Sequence, residues 1–314
     1  MEVFDITHRE PGADLQVVLA TAMQAAAAAG AYFRARIDEQ KDVKIKTTLA
    51  DVVTEVDPAC ERMIRDIITA AFPNHSILGE ETTAPGTEAS AAAVAEVADH
   101  PSLWIIDPLD GTTNFVAAIP LSVVSIGYAE HGALRVGVVY DPYRDELFYA
   151  IAGLGAYVTN AADAKAWGQR VSTGASLSMP GRRLQVTETD ALHRSIVATG
   201  FPARGEVRAR MTEAGWQLSG MVKNLRALGA AALHLAYVAA GRIDAFYECD
   251  LNAWDLAGGV CLVLEAGGTV AELGGGPYTL QVRDIVASGH PALTREIQSL
   301  VGAGSDERSG EKKR

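Results

Sequence analysis

The sequence predicts an α/β protein, built as one large unit or as two closely packed halves. With 314 residues, the chain is long enough to bury a large core. Three successive runs rich in apolar and β-branched residues lie between residues 121 and 149, with polar turns between them, which is typical of a β-meander. After residue 195, strand-like and helix-like segments alternate, as expected of α/β architecture.

The first half opens with a predicted helix over residues 14–38, followed by two short strands around a turn over residues 44–56. Asp57 and Pro58 then begin a helix that reaches about Phe72, with Asp57 as its N-cap and Pro58 at the first helical position. The rest of this half comprises strands at 76–81 and 103–106, with a loop at 82–93 that leads into a helix.

The second half starts with a polar stretch, residues 160–193, that we predict to be irregular. The elements after it are a strand at 195–199, helices at 206–219 and 230–240, a strand at 243–248, a helix at 253–266, two short strands and a helix at 291–301. We predict an N-terminal half over 1–155, a C-terminal half over 156–302 and a disordered charged tail over 303–314.

Composition narrows the classes of function. The formal charge is −12, which disfavours nucleic acid and anionic membrane surfaces as partners. Cys60, Cys249 and Cys261 form no CxxC pair, and this favours reduced thiols in a cytoplasmic protein. Residues 1–10 do not resemble a signal peptide, and the alanine-rich run 15–33 reads as a packed helix rather than a membrane span.

Acidic residues follow the predicted strands. Glu80 and Glu81 close one strand, Asp107 and Asp110 follow another, and Asp255 stands at the start of a helix. Buried carboxylates are costly unless cations lie between them, and ligands of α/β sheets bind beyond the carboxyl ends of strands. This distribution indicates a cation site.

The segment DPLDGT joins acids to a possible anion site. Pro108 stiffens a turn so that Asp107 and Asp110 can converge, while the amides of Gly111 and Thr112 begin a short helix and offer donors to an anion. Oxygen ligands without His or Cys favour Mg²⁺, with Mn²⁺ also suitable. Taken alone, the same segment could equally be a capped turn.

The motifs together resemble the inositol monophosphatase family of lithium-sensitive, magnesium-dependent phosphatases. They are Lys46 with DVVTEVD (51–57), LGEE (78–81), WIIDPLDGTTNF (104–115), AAGRIDAFYE (239–248), WDLAGG (254–259) and EAGG (265–268). The resemblance implies a layered αβαβα sandwich of the inositol monophosphatase and fructose bisphosphatase type, usually a homodimer. It also implies inhibition by lithium.

The resemblance implies roles for the acids. Glu80, Asp107 and the Leu109 carbonyl would hold one Mg²⁺, and Asp107, Asp110 and Asp255 would hold a second, with a weaker third ion bound to Glu80 through water. Two such ions can activate water and stabilise the leaving oxygen. Thr112, hydrogen-bonded to Asp57, would orient the water and help to deprotonate it, so that Glu80, Thr112 and Asp57 form the catalytic set. On its own, Asp57 reads as an N-cap.

The resemblance also implies which residues contact the substrate. They are Asp110, Gly111, Thr112, Gly229, Ala230, Ala231, Glu248 and Asp255. Glu248 would accept hydrogen bonds from substrate hydroxyls, although it could be only a solvated strand end. The run that begins at Gly229 could present amides to the ligand or could serve close helix packing.

Two departures from the family pattern bear on the substrate. Ala230 lacks the hydroxyl that the family commonly has there, and His234 stands where Asp or Asn is frequent. A lone helical His is more often structural, so we keep His234 out of the site. The substrate is then predicted to be a small phosphorylated polyol or sugar, first inositol-1-phosphate. Alternatives are fructose bisphosphate, histidinol phosphate, NADP or phosphoadenosine phosphate, or a non-catalytic partnership with the transcription machinery.

Overall fold

A computed structural model describes residues 13–48, 51–174, 178–203 and 205–302, so the predicted tail over 303–314 lies outside the described residues. The helices are α1 (Ala13–Arg34), α2 (Val56–Ala71), α3 (Thr87–Val97), α4 (Thr112–Val116), α5 (Ala161–Val171), α6 (Gly205–Ser219), α7 (Ala231–Ala239), α8 (Ala253–Glu265) and α9 (Pro291–Ile297). The strands are β1 (Lys44–Ile45), β2 (Val52–Val53), β3 (Ser76–Gly79), β4 (Leu103–Asp110), β5 (Val123–Glu130), β6 (Ala133–Asp141), β7 (Glu146–Ile151), β8 (Gly155–Thr159), β9 (Arg182–Arg183), β10 (Ile196–Thr199), β11 (Asn224–Arg226), β12 (Ala245–Glu248), β13 (Thr269–Glu272) and β14 (Ile285–Ser288).

Two large sheets organise the described residues. The first runs β3-β4-β5-β6-β7-β8-β9, and it is antiparallel from β4 onward, with β3 parallel to β4. The second runs β11-β10-β12-β14-β13, with β10 parallel to both of its neighbours. The predicted meander over residues 121–149 is confirmed by β5, β6 and β7.

Alternating side chains of each sheet pack against helices on both faces. On the outer face of the first sheet, Phe33 of α1 and Ile64 of α2 share a core with Trp104. Helices α7 and α8 fill the space between the sheets, where Val139 and Phe246 belong to one core. Helices α6 and α9 cover the far face of the second sheet. The layers therefore alternate αβαβα, which confirms the predicted fold class.

Helix α8 lies in unusually close contact with its neighbours because glycines face each other. A Cβ atom on Gly137 of β6 would lie only 2.4 Å from the carbonyl oxygen of Gly258, and one on Gly259 would lie 2.4 Å from Leu235 Cβ on α7. Such separations leave no room for a side chain. The axis of α8 is thereby fixed against both the first sheet and α7.

Three sequence predictions change in detail. The stretch 160–193 is not all irregular, because α5 begins after Asn160, whose side chain caps the helix by accepting from the Asp163 amide. Strand β4 continues through Pro108, where a turn was predicted. Helix α2 begins at Val56 with Glu55 in the N-cap position, so the assignment of Asp57 as N-cap is wrong.

The boundary after residue 155 falls within β8, which pairs with β7, so the first sheet continues beyond it. The division into two halves stays a prediction. One described helical stretch, Leu15–Arg34, is long and apolar enough to cross a membrane, and 56% of its most apolar window is buried in the protein. Its residues Leu19, Met23 and Phe33 belong to the outer core, as the packed-helix prediction expects.

Candidate active site

The predicted metal ligands sit at the ends of separate elements. Glu80 follows β3, while Asp107 and Asp110 lie in the last part of β4. Since β3 and β4 are parallel and Gly79 pairs with Ile106, their carboxyl ends meet at one edge of the first sheet. Glu248 ends β12 and Asp255 lies in the first turn of α8, so the second sheet and the middle helix layer contribute as well.

A bulge in β4 turns its two acids toward the same side. Asp107 pairs with Ser125 and Asp110 with Val123, so three steps along β4 match two steps along β5. Residues three apart in a regular strand face opposite sides, and an extra residue reverses that relation. The amide of Leu109 donates to Asp107 Oδ1 at 2.9 Å, which fixes the bulge locally.

Electrostatics shows that the acids share one region. The pKa of Asp107 is held well above its usual value, first by burial and then by the charges of Glu80, Asp110 and Asp255. Burial followed by the charge of Glu80 raises the pKa of Asp255 to about 7. The pKa of the buried Glu248 carboxyl is likewise well above normal, first through burial and then through Asp255 and Asp110. Carboxylates that repel one another in this way would all gain from a shared cation.

Two of the acids, Asp110 and Asp255, are also held by backbone amides. Asp110 Oδ2 accepts from the amide of Ala232 at 2.7 Å, at the start of α7. Asp255 Oδ2 accepts from the amide of Asn252 at 2.7 Å in a capping box. These bonds fix the orientation of the two carboxylates.

Lys46 brings a positive charge to the acids. Its Nζ lies 2.8 Å from Glu80 Oε1 and 2.7 Å from Glu81 Oε1. Although burial alone would lower the pKa of Lys46, the two glutamates raise it above its usual value. Lys46 is therefore a largely buried ion-pair partner of the two glutamates and not a solvated surface charge.

The donor set fits a hard divalent cation. Within the described residues, no three His, Cys, Asp or Glu side chains stand close enough to enclose an ion as placed. The acids are nevertheless buried or half-buried, mutually repulsive and exclusively oxygen donors, and such a set suits Mg²⁺ or Mn²⁺ better than zinc. The side chains would therefore have to move closer together to coordinate a cation.

The turn after β4 places donors beside the acids. Gly111 has a φ of 93°, and a Cβ there would lie 3.0 Å from the Leu121 carbonyl, so this position favours glycine twice over. Thr112 begins α4, and its Oγ1 donates to Asp57 Oδ1 at 2.9 Å and lies 3.2 Å from the Leu109 carbonyl oxygen. The structure thus contains the predicted pair of Thr112 and Asp57.

Asp57 is a buried acceptor rather than a cap. Its Oδ2 accepts from both the amide and the hydroxyl of Thr54, at 2.9 Å for the amide. Burial raises its pKa despite these bonds, and Glu80 raises it further. A carboxylate in this state is well suited to receive a proton.

Glu248 at the end of β12 and the turn at Gly229 before α7 form the side of the site that follows later in the chain. Glu248 is only 9% exposed, so the alternative of a solvated strand end is wrong. A Cβ on Gly200 would lie 2.2 Å from both Glu248 carboxylate oxygens, so the glycine makes space for them. Gly229 has a φ of 78° in the turn that leads into α7. Its neighbour Leu228 is held at both ends: the carbonyl accepts from Asn114 Nδ2 at 2.8 Å and the amide donates to His234 Nε2 at 2.9 Å.

A pocket of about 440 Å³ is lined by part of this site, while Asp107, Asp110 and Asp255 lie outside its lining. Lys46, Glu80 and Glu248 line it, together with Trp254 and Arg283. Sequence reasoning did not assign roles to Asn114, Gly200 or Asn252. The spacing of Asn252 from Asp255 is a capping-box signal visible in the sequence, whereas the other two act through tertiary contacts that no local pattern reveals.

The family model described as the inositol monophosphatase family matches residues 14–304. The chain is 34% identical to inositol monophosphatase 1 of Sus scrofa over 86% of this chain and 88% of that protein. It is 38% identical to Nus factor SuhB of Pseudomonas aeruginosa over 87% and 92%. The solved structure of the extragenic suppressor protein suhB from Bartonella henselae superposes with a TM-score of 0.76 at 31% identity, covering 91% of this chain and 99% of that one.

These findings agree with the layered fold and with the motifs on which the resemblance rests. The family match extends across both sheets and includes every acid of the candidate site. The chain therefore belongs to the inositol monophosphatase family, which is a family of metal-dependent phosphatases.

Proposed function

We propose that the protein is a magnesium-dependent phosphate monoester hydrolase acting on a small phosphorylated polyol, with inositol-1-phosphate as the first candidate. The observation that carries this proposal is the gathering of buried and half-buried acids, at the ends of β3, β4 and β12 and at the start of α8, near the Gly111–Thr112 turn. Glu80, Asp107, Asp110, Asp255 and the Leu109 carbonyl would hold Mg²⁺, or Mn²⁺ in its place.

Bound divalent cations would offset the phosphate charge and polarise the ester and the attacking water. The amides of Gly111 and Thr112 at the start of α4 would hold phosphate oxygens. Because Thr112 Oγ1 gives its hydrogen to Asp57, its lone pairs are free to accept a hydrogen bond from the attacking water. The buried Asp57 carboxylate would be the final acceptor of the proton.

The pocket favours a substrate whose remainder is neutral and rich in hydroxyls. Glu248 and Asp250 add acceptors to the wall, and Arg283 is already engaged by Asp250 Oδ1 at 2.9 Å and Asn252 Oδ1 at 2.6 Å. A second phosphate would meet carboxylates without a free cationic partner among these residues. We therefore rank a polyol monophosphate above fructose bisphosphate, NADP and phosphoadenosine phosphate.

A phosphate-release screen tests the proposal. Inositol-1-phosphate, sugar phosphates, histidinol phosphate, fructose bisphosphate and nucleotides are assayed with Mg²⁺, with Mn²⁺ and with EDTA, followed by a lithium dose series. We expect metal-dependent release from the polyol phosphate, inhibited by millimolar lithium. Asp107→Asn should abolish turnover while circular dichroism stays unchanged, and an unchanged kcat in that folded variant would refute the proposal.

A binding role is the second candidate, because a relative at 38% identity is named Nus factor SuhB. In that case the chain would act by contacting the transcription machinery rather than by hydrolysis. Capture of RNA polymerase components by both wild type and Asp107→Asn, with no hydrolysis of any substrate in the panel, would favour it. We also propose that the protein is cytoplasmic and homodimeric, which fractionation and light scattering can test.

A further inference from the structure

A buried carboxylate outside the predicted site contacts the segment that carries Glu80. Glu61 lies on α2 and is 1% exposed. Its Oε2 accepts from the amide of Glu81 at 2.7 Å, and its Oε1 accepts from Arg65 Nε at 2.9 Å. A side chain of α2 therefore binds the backbone immediately after a predicted metal ligand.

Arg65 extends this contact to both sides of the segment. Its Nη2 donates to the hydroxyl of Thr82 and approaches the carbonyl oxygen of Ile77 at 3.4 Å. Glu61 and Arg65 together thus span the chain from the strand β3 to the residue beyond Glu81. We call these two side chains the α2 clamp.

Gly79, the last residue of β3, is shaped to this contact. A Cβ atom there would lie 2.6 Å from Glu61 Oε1 and 2.7 Å from Oε2. The φ of Gly79 is not in the left-handed region, so its backbone does not require glycine. What excludes a side chain at this position is the Glu61 carboxylate itself.

Stability alone does not explain a charged pair here. Burying a carboxylate costs several kcal/mol unless its partners are well placed, and a well-packed apolar pair often serves stability as well or better. What a charged pair adds is directed hydrogen bonds, and these converge on the segment that presents Glu80 to Asp107 and Asp255. Partners of this kind orient metal ligands in proteins.

We propose that Glu61 is a positioning residue that holds residues 79–82 so that Glu80 faces the other acids. The inference rests on the proposed function, because it assigns Glu80 to a metal. It predicts that loss of the α2 clamp weakens metal binding more than it weakens chemistry once metal is saturating.

The first test measures Mn²⁺ binding without substrate, by calorimetry or by electron paramagnetic resonance, for wild type, Glu61→Gln and Glu61→Ala. We expect Glu61→Ala to bind about 10- to 100-fold more weakly, with Glu61→Gln in between because its amide oxygen can still accept from the Glu81 amide. In steady state, the Mg²⁺ concentration for half-maximal activity should rise while kcat at saturating Mg²⁺ changes less than threefold.

A double-mutant cycle with Gly79→Ala tests the contact directly. In the wild-type background the new methyl group must displace the Glu61 carboxylate, so metal affinity should fall. In the Glu61→Ala background the obstacle is gone, so the same substitution should have little further effect. Additive losses would show that Gly79 and Glu61 act independently and would overturn the proposal.

Asp244 provides the matched control. It is 8% exposed and, like Glu61, accepts from one backbone amide, that of Ile196 at 2.7 Å, but it precedes β12 at the end opposite Glu248. Asp244→Ala should lower the melting temperature without changing Mn²⁺ affinity. If Glu61→Ala behaves like this control, the α2 clamp is only structural and the proposal fails.

If Glu61→Ala does not fold, Glu61→Gln and Gly79→Ala decide by the same criterion. Wild type that neither binds Mn²⁺ nor releases phosphate would instead refute the proposed function.

Discussion

At the scale of single residues, burial decides what a carboxylate can do. Asp57 looks like a helix cap in the sequence, yet its oxygens are turned to Thr54 and Thr112 instead of to the free amides of α2. Burial raises the pKa of this acid, so its carboxylate is a stronger base than a solvated aspartate. The same residue type at a solvated helix start would only stabilise the helix.

Thr112→Ala should lower kcat by about 10²- to 10⁴-fold, the usual contribution of a positioned proton-transfer group. The alanine cannot receive a proton from water or pass one to Asp57. Thr112→Ser retains the hydroxyl and should keep most of the activity. Steady-state phosphate release at saturating Mg²⁺ measures both, and a Thr112→Ala enzyme as fast as the serine variant would contradict the assigned role.

His234 makes the stability of the protein depend on pH. Full burial lowers its pKa to about 3, so it is neutral in the fold while Nε2 accepts from Leu228. In the unfolded chain it binds a proton near pH 6.5, so stability falls as pH drops below that value. Between pH 7.5 and pH 5 this amounts to about 2 kcal/mol.

His234→Gln should remove that part of the pH dependence, since glutamine can accept from the same amide without titrating. Urea unfolding of both proteins at pH 7.5 and pH 5 gives the change in the free energy of unfolding with pH for each protein. Subtracting one change from the other cancels the contributions of the other titrating groups. Equal pH dependence in the two proteins would show that His234 does not carry the effect.

At the scale of elements, helix α8 connects packing to chemistry. Its first turn carries Asp255, held by the capping box with Asn252, and its middle carries glycines that touch the sheet. A shift of the helix axis would move Asp255 with it. The position of one predicted ligand is therefore set by contacts made farther along the helix.

Gly137→Ala should destabilise the protein by about 1–3 kcal/mol, because the methyl group must push α8 off the sheet. Phosphate release should fall as well, through the displacement of Asp255. The control is Gly168→Ala on α5, where the nearest atom, Ala20 Cβ, is 3.5 Å away and alanine favours the helix. Chemical denaturation and activity are measured on both, and equal behaviour of the pair would contradict the packing argument.

Elements and site residues could be predicted from the sequence where a short local pattern identifies them. The meander of β5 to β7 and the acids of the DPLDGT segment could be predicted because alternation and motif lie within a few residues. Helix α5 was missed, since only Ala164, Trp167 and Val171 of this helix are buried and the stretch around them is polar. Strand β9 consists of two exposed arginines whose pairing depends on β8, and Glu61 acts on an amide that lies twenty residues farther along the chain.

At the scale of the whole molecule, the candidate site concentrates negative charge in the interior. Asp107 is 1% exposed and faces the charges of Glu80, Asp110 and Asp255. Such an arrangement lowers the stability of the metal-free protein, and a bound cation reverses the sign of the interaction. Fold stability and metal binding are therefore linked.

Asp107→Asn should raise the melting temperature in EDTA by a few degrees, because a buried repulsive charge is removed. The same variant should gain less from added Mg²⁺ than wild type, for which saturation at 100 times Kd stabilises by about 2.7 kcal/mol. Differential scanning calorimetry with and without Mg²⁺ tests both statements. A lower melting temperature of the variant in EDTA would contradict the repulsion.

The glycine contacts of α8 also order events in time. The contact of this helix with the first sheet joins residues that are distant along the chain, so we expect it to form after both parts have acquired their own secondary structure. During refolding, the far-ultraviolet signal should recover before the capacity to release phosphate, which must wait for this last docking step. A nascent or partly folded chain would then be catalytically silent, and no premature hydrolysis would accompany its synthesis.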